Sequence, residues 1–297
     1  MRSIRYDDAL SQIDLEPGGY RDLVSVYLAE SKGKAVLIES GPAITADELA
    51  GLVRNASITH VIVTHVHIDH GGGAGGLIRR FPATIYAHPR ATKVIQNPDL
   101  IWEPARMAMG WLGELYGKPF DAPRDRVRET SDGEVITVGD LSFKVIHTPG
   151  HASHHQSILM EPGRVLFLGD AAGIYLADVD YVIPTTMSPI RLDLYVDSIK
   201  KLIRENPSKL AYTHFGIVGN AVERLEDHLT QVESWIKALS ESLAEKSDAE
   251  EILIERDYRL RQVIDKIRER KAHYHLFKMA VEGMVSAISQ SSENLPK

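Results

Sequence analysis

"THVHIDHGGGAGG", residues 64–76, sets His65, His67, Asp69 and His70 within six positions and then runs through six small residues. The stretch before it, "ITHVIVTH", is apolar and β-branched, the composition of a buried strand, and is predicted to end at His65. At a strand mouth, two histidines two residues apart can both turn toward one point. A zinc–nitrogen bond of about 2.0–2.1 Å then lets two rings and a third ligand share an ion. Asp69 and His70 follow on the turn and point to a second centre. Two metals about 3.5–4 Å apart would clamp the attacking and departing oxygens of a displacement. Glycine suits what comes next, because backbone passing close beneath two cations, and turning into a helix, leaves no room for side chains. The same letters also satisfy G-x-G-x-x-G at Gly71, Gly73 and Gly76, a dinucleotide fingerprint. That motif wants an acid at the end of the next strand, and "TIYAHP" ends in Ala87, His88 and Pro89. The metal reading accounts for the region better.

A metal site needs ligands from other strand ends, where loop-borne groups gather on a rigid scaffold. His151 follows the strand "LSFKVIHT" and the breaker Pro149–Gly150, Asp170 follows "RVLFLG", and His214 follows "KLAYT". Around them, residues 23–41 read as two strands joined at Gly33, "ADELAGLVRN" as a short helix, "GGLIRRF" as a helix start, and 193–205 as a further helix. This alternation predicts an α/β fold with helices packed on sheets.

Residues 90–120 interrupt the rhythm with a helical insert rich in Trp102, Met107, Met109, Trp111, Leu112 and Tyr116. It suits a lid over an apolar substrate, a helix in the core, or a dimer seam. After Phe215, Val222, Leu225, Leu229, Val232, Ile236, Leu239 and Leu243 step by three and four, a sustained helical stripe. "SDAE" then offers a capping box with Ser247 as N-cap. A second stripe runs from Leu260 to Ile288 and lapses at Arg270 and Lys271. The expectation is a C-terminal helical hairpin.

The chain has 297 residues, a net charge of −7 and no cysteine. Disulfides, iron–sulfur clusters and thiolate zinc sites are thereby excluded, so nitrogen and oxygen must hold any metal. The acidic balance disfavours general affinity for nucleic acid. Neither a signal-peptide core nor an apolar run of membrane length is evident, and a cytoplasmic protein is the expectation.

These motifs together resemble the metallo-β-lactamase superfamily, over about residues 20–216. Its H-x-H-x-D-H signature stands here as His65, His67, Asp69 and His70, with later ligand positions at His151 in "TPGH", Asp170 in "FLGD" and His214 in "YTH". The resemblance implies an αββα sandwich at 1–216, followed by a helical extension at 217–297. It implies two divalent metal ions, with zinc first and iron or manganese as alternatives. One site would be His65, His67 and His151, the other Asp69, His70 and His214, with Asp170 bridging. Where the family has an aspartate in the turn "DTG", this chain has "ESG", so Glu39 would orient ligands through a longer arm. His154 and Tyr175 are candidates for contact with substrate or ligands. His155 is weighed with His154, while His60, His88, His147, His228, His273 and His275 are read as surface or interior residues without a metal.

The implied reaction is hydrolysis, with metal-activated hydroxide held in line by Asp69 and attacking a small ester, thioester or lactone. This places the chain nearest the glyoxalase II and lactonase branch. A glutathione thioester is disfavoured, since "GDAAGIYLADVDYVIP" lacks the Cys-Gly-Arg turn and any basic residue. The alternatives are phosphodiester cleavage by the same centre and a mononuclear-iron persulfide dioxygenase. A small-molecule substrate, no membrane and a homodimer complete the expectation.

Overall fold

A computed structural model describes residues 1–245 and 248–293. Its first sheet has seven strands in chain order: β1 (Arg2–Arg5), β2 (Leu10–Asp14), β3 (Ser25–Ser31), β4 (Lys34–Ile38), β5 (Ile58–Ile62), β6 (Thr84–Ala87) and β7 (Val127–Glu129). The chain then builds β8 (Val135–Val138), β9 (Leu141–His147), β10 (Gln156–Glu161) and β11 (Val165–Gly169). A small hairpin, β12 (Ile174–Leu176) and β13 (Tyr181–Ile183), precedes β14 (Lys209–Tyr212) and β15 (Gly216–Val218). The second sheet has the order β15-β14-β11-β10-β9-β8.

The two sheets face each other across an apolar core. Tyr27, Val36, Ile38 and Ile62 of the first sheet meet Phe143, Val145, Ile158 and Phe167 of the second, all buried. Tyr27 and Phe167 touch across the gap with ring centroids 5.1 Å apart. Both sheets have a second apolar face, so each needs a helical cover. Helices α1 (Ala46–Leu52), α2 (Ala74–Ile78), α3 (Thr92–Gln96), α4 (Asp99–Met109) and α5 (Trp111–Tyr116) cover the first. The outer layer of the second is α6 (Leu192–Arg204), with Leu202 buried against Leu166 and Leu210, and α7 (Ala221–Glu245). The fold is the expected αββα sandwich.

The C-terminal extension is helical, and its return arm is divided into α8 (Ala249–Arg256), α9 (Tyr258–Glu269) and α10 (Lys271–Glu293). Two local signals divide it. Asp257 accepts hydrogen bonds from the backbone N–H groups of Arg259 and Leu260 and so starts α9. At Arg270 the backbone leaves helical geometry, where the apolar stripe lapses. Ser247 lies outside the described residues; α8 is capped by Asp248, which accepts from the Glu251 N–H at 3.0 Å. The second sheet continues in β15 past residue 216, and Trp235, Phe277 and Met284 bury into the same cluster as Val61 and Ile85 of the first sheet.

The insert is packed into this body. Met109, Leu112 and Tyr116 are buried, Lys271 lies 4.4 Å over the Trp111 ring, and His275 faces the Met109 carbonyl at 2.9 Å. Helix α10 thus clamps the insert. Met107 stays 76% exposed.

Candidate metal centre

Strand β5 stops at Ile62, three residues short of its predicted end, and the chain then turns sharply through 63–73. The glycines make that turn dense. A Cβ on Gly72 would lie 2.1 Å from the Ile68 carbonyl oxygen, and one on Gly75 would lie 2.3 Å from that of Asp121. The crowding atoms are neighbouring backbone of the turn and the insert, and neither glycine has a left-handed φ. Close packing, rather than room for cations or substrate, is what demands glycine here.

From this turn His65, His67, Asp69 and His70 meet His151 in the loop after β9, Asp170 after β11 and His214 after β14. The seven side chains, remote in sequence, converge. In one cluster His67 Nδ1 lies 3.0 Å from His65 Nε2 and 2.9 Å from His151 Nε2. In the other, His70 Nε2 lies 3.2 Å from His214 Nε2, with Asp69 oxygens 4.0 Å from His70 and 3.6 Å from His214. Asp170 spans both: Oδ2 is 3.3 Å from His151 Nε2, while Oδ1 is 3.3 Å from His70 Nε2 and 3.6 Å from His214 Nε2.

The outward nitrogens fix which inward nitrogens carry lone pairs. His151 Nδ1 donates to the Thr185 carbonyl at 2.8 Å, and His214 Nδ1 donates to the Leu23 carbonyl. His70 Nδ1 donates to Glu39 Oε1 at 2.9 Å. His65 Nδ1 lies 3.0 Å from Thr64 Oγ1, whose own hydrogen goes to Glu39 Oε1. In its neutral form each of these four rings therefore turns an Nε2 lone pair inward. Nitrogen lone pairs facing one another at such distances repel unless a cation lies between them. Asp170 Oδ1 is buried and has no hydrogen-bond donor. This donor set of imidazoles and carboxylates fits divalent metal ions.

The electrostatics agree. Burial, reinforced by neighbouring imidazoles, pushes His65 and His67 well below the ordinary histidine value. Burial also opposes charge on His70, yet Asp170, Asp69 and Glu39 outweigh it and hold that ring well above its ordinary value. The second cluster is thus a place that favours positive charge.

Glu39 sits against the centre, its carboxylate within 4.8 Å of ring nitrogens of His65 and His70. It accepts from the Thr64 N–H, the Thr64 hydroxyl, His70 Nδ1 and, at 3.3 Å, the Thr213 hydroxyl. Its longer arm is accommodated by a left-handed backbone, φ 70°. His154 stays beside the centre, its ring centroid 5.7 Å from that of His67, with a buried Nδ1 lacking any partner. Tyr175 faces elsewhere: its hydroxyl donates to Asp180 at 3.0 Å and its ring stacks on Tyr212.

Three residues outside the site expected from sequence matter here. His155 Nε2 accepts the Asp170 backbone N–H at 3.0 Å, fixing that loop. Strand alternation carried back from Ser157 would have found it, since both side chains meet Thr148. Thr185 holds His151 and also donates to the Asp170 carbonyl. Tyr116, the last residue of α5, is fully buried with an unpartnered hydroxyl. Burial, together with the nearby charges of Asp69 and Asp170, holds that phenol well above its ordinary value, so it remains a donor.

The family model for the metallo-beta-lactamase superfamily matches residues 19–214. The metallo-beta-lactamase fold-containing protein ST1585 of Sulfurisphaera tokodaii is 30% identical over 227 residues, which cover 75% of this chain and 84% of that one. The crystal structure of ST1585 superposes with a TM-score of 0.65. The family protein TTHA1429 of Thermus thermophilus shares the fold over 97% of this chain and 95% of its own, with a TM-score of 0.67 at 18% identity. An atrochrysone carboxyl ACP thioesterase of Cryptosporiopsis is 27% identical over 153 residues, 49% of this chain and 37% of the thioesterase.

Proposed function

This chain belongs to the metallo-β-lactamase superfamily, and on that premise we propose that it is a hydrolase of small esters, thioesters or lactones with two zinc ions at its centre. The observation that carries the reading is Asp170, whose two oxygens each face a different histidine cluster. When bound, such ions bring the pKa of water toward neutrality and polarise a carbonyl oxygen.

His65, His67 and His151 would hold one ion, and Asp69, His70 and His214 the other. Asp69 stands further back than Asp170 from His70, at 4.0 Å against 3.3 Å. With one Asp69 oxygen helping to hold that ion, the other would take the proton of an attacking water and return it to the departing oxygen or sulfur. Without cysteine, the chain has no thiol nucleophile. Thioesters belong to the substrate class because the Cryptosporiopsis relative is a thioesterase.

The test is metal analysis of protein purified without added metal, followed by a panel of esters, thioesters, lactones and phosphodiesters. Two zinc equivalents and turnover of an acyl substrate are expected. Iron with oxygen uptake, or cleavage of phosphodiesters alone, would refute the assignment. Asp170→Ala should lose metal and turnover together, and full activity in that variant would contradict the bridging role.

A further inference from the structure

A cavity of about 350 Å³ opens between β13, α7 and the α8–α9 junction, and none of the seven converging side chains lines it. Its charged lining comprises Arg224, Arg256, Arg259, Asp180, Asp227 and Asp257. The carboxylates at its core are committed. Asp257 accepts from Trp235 Nε1 and the Tyr181 hydroxyl, both at 2.9 Å, besides capping α9. Asp180 accepts from Arg224 at 2.7 Å and from Tyr175.

The guanidinium groups are not matched in the same way. Arg224 Nε is buried without a partner. Arg259 donates one Nη2 hydrogen to the Asp180 carbonyl at 3.0 Å but approaches the Asp227 carboxylate only to 3.7 Å, and Arg256 approaches Glu241 only to 3.8 Å, both beyond a good hydrogen bond. Donors are in surplus in this cavity, and planar forks of this kind recognise oxyanions. Tyr258, 67% exposed, offers a flat apolar face at the rim.

One wall of the cavity is wired to the metal centre. Gln231 gives its amide hydrogens to the Tyr181 hydroxyl and the Val182 carbonyl, so its oxygen faces His228 Nδ1 at 3.1 Å and takes the hydrogen there. His228 Nε2 is 3.2 Å from the Tyr195 hydroxyl, which is 3.1 Å from Thr185 Oγ1. Thr185 spends its own hydrogen on the Asp170 carbonyl. With His228 neutral, Tyr195 has one hydrogen for two acceptors, so the chain has two arrangements. An imidazolium at His228 satisfies every contact. Burial pushes His228 down to about 4, which makes the neutral, frustrated form the resting one. An anion drawn among the three arginines beside this ring favours the imidazolium and closes the chain.

We propose that this cavity binds a small oxyanion, a carboxylate or a phosphate, and that the His228–Tyr195–Thr185 chain couples its occupancy to the placement of Asp170 and His151. The binding half stands apart from the reading of the metal centre, and the coupling half rests on it.

Calorimetric titration of the metal-loaded protein with benzoate and with inorganic phosphate tests the site. Saturable binding of either supports it and names the source. Arg256→Ala/Arg259→Ala should bind roughly 10- to 100-fold more weakly, the loss expected for charge-assisted hydrogen bonds. No saturable binding, or unchanged affinity in the double variant, overturns it. Benzoate affinity should weaken as pH rises from about 5 toward 7, above the His228 value of about 4 and where benzoate's own charge is constant; a flat profile overturns the imidazolium step. In cobalt-substituted protein the visible spectrum should shift on benzoate binding. The shift should vanish in the double variant, which separates the cavity from binding at the metal, and should vanish in Tyr195→Phe although affinity there persists. A shift that survives in either variant overturns the coupling.

Discussion

Replacing Glu39 by glutamine tests how the centre is held. All four groups around the carboxylate donate to it: the Thr64 N–H, the Thr64 hydroxyl, His70 Nδ1–H and the Thr213 hydroxyl. Glutamine offers one oxygen and one NH2 group. With nitrogen in place of Oε1, three donors lose their acceptor. With nitrogen in place of Oε2, it confronts the Thr64 N–H across 3.1 Å. The second placement is cheaper, yet it still sets two donors against each other at a site with no access to water. Such a frustrated buried group costs about 1–3 kcal/mol, which is about 5- to 150-fold in an equilibrium constant. The negative charge that favours cationic character at His70 is lost as well. The penalty falls on the cluster of Asp69, His70 and His214, because His70 is the ring Glu39 holds directly. His65 is reached only through the Thr64 hydroxyl. Chelator competition with stoichiometric zinc should therefore show the ion at that cluster bound about 10- to 100-fold more weakly, in the range for partners that orient ligands. The ion at His65, His67 and His151 should change less. Wild-type affinity for both ions would refute the reasoning, as would a loss confined to the His65 cluster.

Tyr116→Phe should raise the stability of the metal-free protein by about 1 kcal/mol, since an unpartnered buried hydroxyl is removed; thermal melts read the change, and a loss of stability would show that the hydroxyl has a partner. Buried His228 and His273 are each pushed down to about 4, below the ordinary 6.5. The unfolded chain thus binds protons that the folded chain refuses, and stability should fall as pH drops from about 6.5 toward 4, by at most about 3 kcal/mol for a fully buried ring. Urea midpoints of metal-free protein at pH 7 and pH 5 measure this, and His228→Gln should lessen the slope. Gly72→Ala places a Cβ where the Ile68 carbonyl oxygen would lie 2.1 Å away, so the turn must shift; we expect at least about 2 kcal/mol of destabilisation together with loss of metal, and a metal-replete variant with an unchanged melt would count against the packing account.

The parts of this architecture legible in the sequence are those carried by local pattern. Strands announce themselves by β-branched runs, and the convergence of His151, Asp170 and His214 on the 65–70 turn follows from each standing where such a run stops. Sequence is silent on what depends on distant partners. His67 alone turns Nδ1 inward, and nothing in H-x-H says which nitrogen will face the centre. Glu39 could be read as a carboxylate of the wrong length, but not as one carried on a left-handed residue that brings its oxygens to Thr64 and His70. His154 and His155 stand side by side, and only the register of β10, which sends alternate side chains to opposite faces, decides that His155 supports the Asp170 backbone. His228 is the clearest case. It lies on the apolar face of an ordinary amphipathic helix, and its role exists only because α6 sets Tyr195 between it and Thr185. Donor identity is thus written locally, whereas donor orientation is written in pairs of residues far apart. The orientation of those donors decides how tightly each ion is held, so substitutions outside the ligand motif can retune this centre while every ligand stays in place.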